Sequence, residues 1–370
     1  MKKNLRMAVT AALTLGVVSL GGVQAFAADE DRTADEHMLG ETVVTATRTP
    51  NKELKANANI TVITGKDIER RHYTDLTQAL RDVPGVTVNQ YGPAGYNNSN
   101  NIYINGSSDV VILVDGVRQN YAGGSGASLA SALKDLSGVD RIEVLHGSAS
   151  TLYGSDAKGG VINIITKKAQ KVKTTLGVGY GSYGRQLYSI ANEGAVAGWD
   201  WRVKYQKDKS SDFKDAHGNK IPSELDADSV NLHLGKALSK ASYLALNFRS
   251  YKDSDQYQAR HEMAYPANKG NYDHFDGSLV WNVQIDDTMK NQMSVSRSKY
   301  DYDLLTFGAW SPPTGDPYNF SVWTWRFSDQ FDKKLGDHLV TAGFDFTKDN
   351  TEIKGSVDDR TIINRSFYLQ

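Results

Sequence analysis

Tyr243-Leu244-Ala245-Leu246-Asn247-Phe248-Arg249-Ser250-Tyr251 alternates strictly: Leu244, Leu246 and Phe248 fall on one side, Ala245, Asn247 and Arg249 on the other. A period of two is the signature of a β-strand with two different faces. The pattern recurs. Leu279, Trp281, Val283 and Ile285 alternate with Asn282 and Gln284, and Trp323, Trp325 and Phe327 oppose Thr324 and Arg326. Val340, Ala342, Phe344 and Phe346 oppose Thr341, Gly343 and Asp345. Roughly ten such segments follow Lys168, several at the ~10 residues a tilted transmembrane strand requires. A soluble β-sandwich also alternates, but here the polar faces carry charges such as Arg249 and Asp345, which suit a water-filled lumen. The connections differ in length too. Gly184-Arg185 and Ala197-Gly198 are tight, whereas 209–228 and 252–274 are long and polar, as expected of short inner turns and long outer loops. Residues 169–370 therefore read as part of an antiparallel transmembrane β-barrel.

The preceding stretch has another texture. Residues 55–168 read as an α+β domain. Ile60–Thr64 is a strand, Asp67–Arg71 starts a helix, and Thr74 caps a helix over Leu76–Val83 that ends at Pro84-Gly85. Val86–Asn89 is a short strand and Tyr91–Asn101 a Gly-, Pro- and Asn-rich loop. Val110–Val114 is apolar throughout, hence buried on both faces, and turns at Asp115-Gly116. Arg141–Leu145 and Val161–Thr166 are two further strands. A barrel wide enough to hold a domain of this size has about 22 strands. The chain is expected to supply under half of them, because an unclosed sheet edge in lipid leaves backbone groups unpaired. The last segment, Ile363–Gln370, is strand-like, so the barrel is expected to be incomplete here.

Lys2, Lys3 and Arg6 precede an apolar run from Met7 to Leu20, and Ala25-Phe26-Ala27 has the small-x-small form of a cleavage site. Residues 1–27 are expected to be a cleaved signal peptide. Residues 28–54 are polar and flexible apart from the β-prone Glu41-Thr42-Val43-Val44-Thr45-Ala46. The 370 residues carry a net charge of −1, which argues against a nucleic-acid partner, and no cysteine, which excludes disulfides and thiolate metal sites.

Four stretches in order carry a family resemblance. They are Glu41–Ala46; Val62-Ile63-Thr64 with Asp67-Ile68 and Leu80–Val86; Val110–Arg118; and Arg141–Val144 with Leu152–Ala157 and Gly159–Lys167. Together they resemble the TonB-dependent outer-membrane receptors. The resemblance implies a plug domain followed by a barrel in the cell outer membrane, and a receptor that imports a scarce metal chelate. It implies that Glu41, Thr42, Val43, Val44, Thr45 and Ala46 form the TonB box, which binds TonB by strand addition. It also implies a plug–barrel lock including Arg81, Arg118, Arg141 and Glu143. This chain has Asn105-Gly106 and His146-Gly147-Ser148 where the family usually has arginine before the glycine; the lock is then rebuilt or weaker, or the two replacements are neutral drift, which is the preferred reading.

Ferric siderophores are the leading cargo. Tyr153–Ala157 and Asn120–Gly126 resemble cobalamin receptors, so cobalamin stands second. Haem is third, since His72, His217, His261 and His274 form no ligand pattern. Plug loops holding Tyr91, Tyr96, Asn97, Tyr121 and Ser125 are the candidate ligand contacts, because tyrosine offers a flat apolar ring and a hydroxyl. The acid pairs Asp226/Asp228 and Asp253/Asp255 are a candidate Ca²⁺ site in the outer loops, with no tightly bound cofactor otherwise. No Ser-His-Asp arrangement, P-loop or HExxH is present, so an enzyme is not expected. The competing class is a passive porin, which needs neither plug nor TonB box.

Overall fold

A computed structural model describes residues 59–89, 101–120, 136, 138–257, 266–307, 314–353 and 359–370, all within one contact unit. The expected signal peptide and TonB box lie outside them.

The plug begins at β1 (Asn59–Thr64), which runs straight into α1 (Gly65–Arg70). The hinge is a capping box: Thr64 Oγ1 accepts from Asp67 N–H at 3.1 Å, and Asp67 Oδ2 accepts from Thr64 N–H at 3.3 Å. The next helix, α2 (Leu76–Leu80), is capped by Asp75, whose Oδ1 accepts from Gln78 N–H at 2.9 Å. The expected cap, Thr74, lies one residue earlier; Asp75 presents the stronger acceptor to the same N–H groups. A hairpin of β2 (Val86–Asn89) and β3 (Asn101–Ile104) follows, then β4 (Val110–Val114) and β5 (Val117–Arg118). Asp115 and Gly116 both have positive φ, at 49° and 81°, which makes their turn the tight mirror-image type. The domain closes with β6 (Val139–His146), α3 (Ser150–Tyr153) and β7 (Gly160–Thr166).

Five of these strands make a mixed sheet in the order β1-β6-β7-β4-β5, with β4 and β7 parallel. β1 lies at one edge, joined to β6 by six antiparallel register pairs from Asn59↔His146 to Thr64↔Arg141. Its core is aliphatic: Ile112, Ile142, Val144 and Ile162 are fully buried, with Leu76 and Leu80 of α2 among the largest side chains sealed inside.

The wall is a ten-stranded antiparallel meander. Its strands are β8 (Lys173–Tyr180), β9 (Gln186–Val196), β10 (Trp199–Ser210), β13 (Leu225–Ser239), β14 (Ser242–Tyr257), β15 (Asn268–Asp286), β16 (Met289–Thr306), β17 (Asp316–Leu335), β18 (His338–Ile353) and β19 (Arg360–Leu369). A small hairpin, β11 (Phe213–Lys214) with β12 (Lys220–Ile221), sits in the connection between β10 and β13. The expected count of about ten agrees.

Two expectations are corrected. Strands reach far into the supposed loops 209–228 and 252–274, because β13, β14 and β15 stay paired up to Leu225↔Asp255 and Tyr257↔Asn268. Cross-strand ion pairs such as Lys252–Asp273 extend the ladder where apolar residues stop. Second, antiparallel alternation puts the tight turn at Gly181–Arg185 on the same end as the long connections, opposite Ala197-Gly198.

Candidate functional site between plug and wall

The central wall strands each bury one face and leave the other more exposed. On β15 the buried residues are Tyr272, His274, Asp276, Ser278 and Val280, while Leu279, Trp281 and Ile285 are exposed on the far side. The inner face is therefore polar with an aromatic upper part, and the outer face apolar. This division matches the period-two reading of the sequence.

Three arginines on the inner face reach into the plug. Arg202 of β10 donates to Lys167 O at 2.6 Å and to Gly138 O at 3.3 Å, while Glu193 of β9 holds its Nε at 3.0 Å. Arg249 of β14 donates to Gln119 Oε1 at 3.2 Å and lies 3.5 Å from Asp276. Arg326 of β17, almost fully buried, donates to the carbonyl of Asn120. Asn120 is itself clamped to β4: its Oδ1 accepts from Ile112 N–H at 2.8 Å and its Nδ2 donates to Val110 O at 2.9 Å. The arginines thus grip backbone and amide oxygens next to the plug's central strand. A guanidinium suits this work, being permanently charged and able to serve several acceptors at once.

Gly138 shows how close the approach is. With φ at +79°, any Cβ there would lie 2.7 Å from Arg202 Nε. Only glycine accommodates both the backbone angle and the neighbour.

Of the four expected lock residues, Arg118, Arg141 and Glu143 pair inside the plug in their described contacts. Arg118 bonds Asp156, and Arg141 bonds Glu143 at 2.8 Å and Asp140 at 2.9 Å. Arg81 is exposed on the surface. In the described contacts, Arg202, Arg249 and Arg326 serve the seam. Their sequence signal was a charge at an inward position of an apolar alternation, a signal shared by many lumenal residues.

The two departures from the family pattern meet in space. Asn105 N–H donates to Gly85 O at 2.9 Å, and a Cβ at Gly85 would lie 3.0 Å from Asn105 Oδ1 and 3.6 Å from His146 Nδ1. Asn105 takes φ of +49°, which asparagine tolerates better than most side chains. His146 bonds Thr61 Oγ1 at 3.0 Å, and burial holds its imidazole below the ordinary histidine value.

On the long-connection side the lumen is aromatic. Tyr272 stacks on Tyr302 at 4.3 Å, Tyr300 meets Tyr272 edge-on at 5.8 Å, and Tyr318 and Phe320 lie parallel at 6.4 Å. Tyr272 and Tyr300 also pack onto the plug core beside Ile102 and Ile104. Toward the short turns, a cleft of about 1550 Å³ is lined by the Asp115–Arg118 turn and Tyr153 and by Asn282, Gln292, Arg326 and Asp349.

The Ca²⁺ expectation fails on the pleat of the sheet. Ala227 pairs with Asp253 and Leu225 with Asp255, so these two aspartates point inward and are buried. Asp226 and Asp228 point outward, where Lys207 and Lys209 pair with them. The four carboxylates lie on opposite faces and cannot share an ion. Among the described residues no group of three or more acidic or histidine side chains is arranged to hold a metal. The candidate ligand contacts Tyr91, Tyr96, Asn97, Tyr121 and Ser125 lie outside the described residues.

Residues 52–161 match the family model described as the TonB-dependent Receptor Plug Domain. That stretch is a TonB-dependent receptor plug domain. Solved structures share the fold of this chain. FpvA of P. aeruginosa, bound to a heterologous pyoverdine–iron complex, superposes with a TM-score of 0.70 at 17% identity over 87% of this chain and 46% of its own. The ferric-catecholate import receptor Fiu of E. coli gives 0.63 at 18%, covering 82% and 51%. The siderophore receptor PiuA of Acinetobacter baumannii gives 0.63 at 16%, covering 88% and 54%. The chain thus spans about half the length of these receptors.

Proposed function

We propose that this receptor imports a ferric siderophore across the outer membrane, with energy delivered by TonB through Glu41–Ala46. One observation carries the reading: a plug is pinned by Arg202, Arg249 and Arg326 inside a polar-faced wall, beneath lumenal tyrosines. Stacked phenols offer flat, hydrogen-bonding surfaces suited to a large aromatic or peptidic chelate. The structural relatives, a receptor bound to a pyoverdine–iron complex and a ferric-catecholate import receptor, point the same way. A pinned plug also explains why an energised pull is needed. The Gln119–Asn120 grip sits immediately before Tyr121, so a chelate held by that plug loop would load the same segment that Arg249 and Arg326 hold. Export by a signal peptide cleaved after Ala27 belongs to this reading.

The test is uptake of labelled ferric siderophores, and of labelled cobalamin in parallel, by cells that lack their own receptors and express the full-length gene. Val43→Pro removes a backbone donor and should abolish strand addition. Siderophore uptake lost in the variant supports the proposal. Cobalamin uptake alone would replace the cargo, and uptake indifferent to Val43→Pro would make the protein a passive pore.

A further inference from the structure

The outer face of the wall carries an unusual group of cations. Register pairs align Arg297 with Trp325, Trp325 with Lys348, and Lys348 with Ile363 across four neighbouring strands. The Arg297 guanidinium lies 4.7 Å from the Trp323 ring centre and 5.0 Å from that of Trp325. Arg365, one row lower, lies 5.9 Å from the Phe346 ring. Lys299 also covers Trp323, at 4.6 Å, but its charge is met by Asp301. Among the described residues no carboxylate forms an ion pair with Arg297, Lys348 or Arg365.

Their height decides what these cations face. The row beneath Arg297 is apolar up to Arg365: Leu279, Val295, Phe327 and Phe346 are register neighbours on the outer face. From the short turn at Met289 to Arg297, a strand tilted about 40° climbs roughly 20 Å, close to the top of the ~25 Å apolar band of such barrels. Tryptophan collects at that border, where one side is hydrocarbon and the other wet. Cations that find no carboxylate among the described residues are costly at the edge of hydrocarbon unless an anion meets them. The anion present at that depth is a lipid phosphate, which guanidinium and ammonium groups both bind well.

We propose that Arg297, Lys348 and Arg365, framed by Trp323 and Trp325, seat the phosphorylated headgroup of a lipid in the leaflet on the long-connection side. The inference rests on the sheet spanning a membrane, and needs nothing about cargo. The aromatic rings hold the side chains of Arg297 and Arg365 flat against the wall, and Lys348 approaches from the far side of Trp325. A single phosphate can then be shared between neighbouring strands, tying the lipid to the protein's surface.

The experiment places the full-length receptor in vesicles and measures tryptophan quenching by lipids brominated in both acyl chains. Phosphatidic acid is compared with phosphatidylcholine at fixed salt. In the wild type the anionic lipid should quench more effectively, by roughly five-fold for each cation engaged. The triple variant Arg297→Gln, Lys348→Gln, Arg365→Gln should lose that preference, while Arg297→Lys keeps most of it and controls for folding. Equal quenching by both lipids in the wild type, or a preference that survives in the triple variant, overturns the headgroup site while leaving the membrane wall intact. No quenching by either lipid overturns the wall itself, and the proposal with it.

Discussion

At residue scale the plug's seating turns on a few atoms, and Gly138 offers a clean comparison with Gly106. Both have φ of +79°, yet a Cβ at Gly138 collides with Arg202 whereas nothing lies within 4 Å of one at Gly106. Substitution by alanine should cost each the backbone penalty of about 1–3 kcal/mol. Gly138→Ala should in addition dislodge Arg202, leaving Gly138 O and Lys167 O without it, and so expose the plug to protease at lower urea than Gly106→Ala. Equal urea midpoints would show that the Arg202 contact contributes nothing. His146 yields a pH effect with a definite sign. Burial lowers its proton affinity in the folded plug relative to the ordinary 6.5, so the unfolded chain binds protons more readily. The stabilisation is present above about pH 6.5 and is lost as pH falls through the folded value. Amides of Thr61 and Leu145 should exchange faster at about pH 5 than at about pH 7.5 after correction for intrinsic rates, and His146→Gln should flatten the difference. Neither effect was legible in the sequence. No pattern around Gly138 marks the approach of an arginine, and the meeting of Asn105 with His146 depends on segments about forty residues apart.

Among elements, those with internal signals were readable. Val110–Val114 announced itself as a buried strand by five apolar residues, and β1, β2, β6 and β7 lie within a residue or two of expectation. Helix caps were less secure, because Thr74 and Asp75 both offer an oxygen and only geometry selects the second. The ends of the wall strands were misjudged for a physical reason. Above the apolar band, Lys207 with Asp228 and Lys252 with Asp273 sustain pairing through charge, and such residues read as loop in a search for apolar alternation. The capping box supplies a test at this scale. Thr64→Ala removes the acceptor for Asp67 N–H and should destabilise the plug by about 1 kcal/mol in urea titration, whereas Thr64→Ser should restore most of it. A Thr64→Ala plug as stable as wild type would mean that packing of Ile68 alone holds α1.

For the whole molecule, alternation along the strands separated the plug-facing side of the wall from its outer side, and an apolar β4 implied a core. What alternation could not supply was which inward charges touch the plug, since Arg202, Arg249 and Arg326 look no different from lumenal Lys204 or Gln330. If transport requires the plug to leave these arginines, tethering it should stop transport. These 370 residues hold no cysteine, so Gln119→Cys and Arg249→Cys joined by a short bifunctional maleimide should block uptake, and the uncrosslinked double variant should retain it. Uptake by the crosslinked protein would mean that cargo passes beside a stationary plug. The position of β1 bears on how such a plug would give way. A load applied ahead of Asn59 arrives first at an edge strand joined to one neighbour by six register pairs. The β6-β7-β4 layers behind it are each paired on both sides. The weak seam therefore lies between β1 and β6, and under tension the domain has a built-in order of rupture: the margin peels while the aliphatic centre stays whole and can spring back when the force is released.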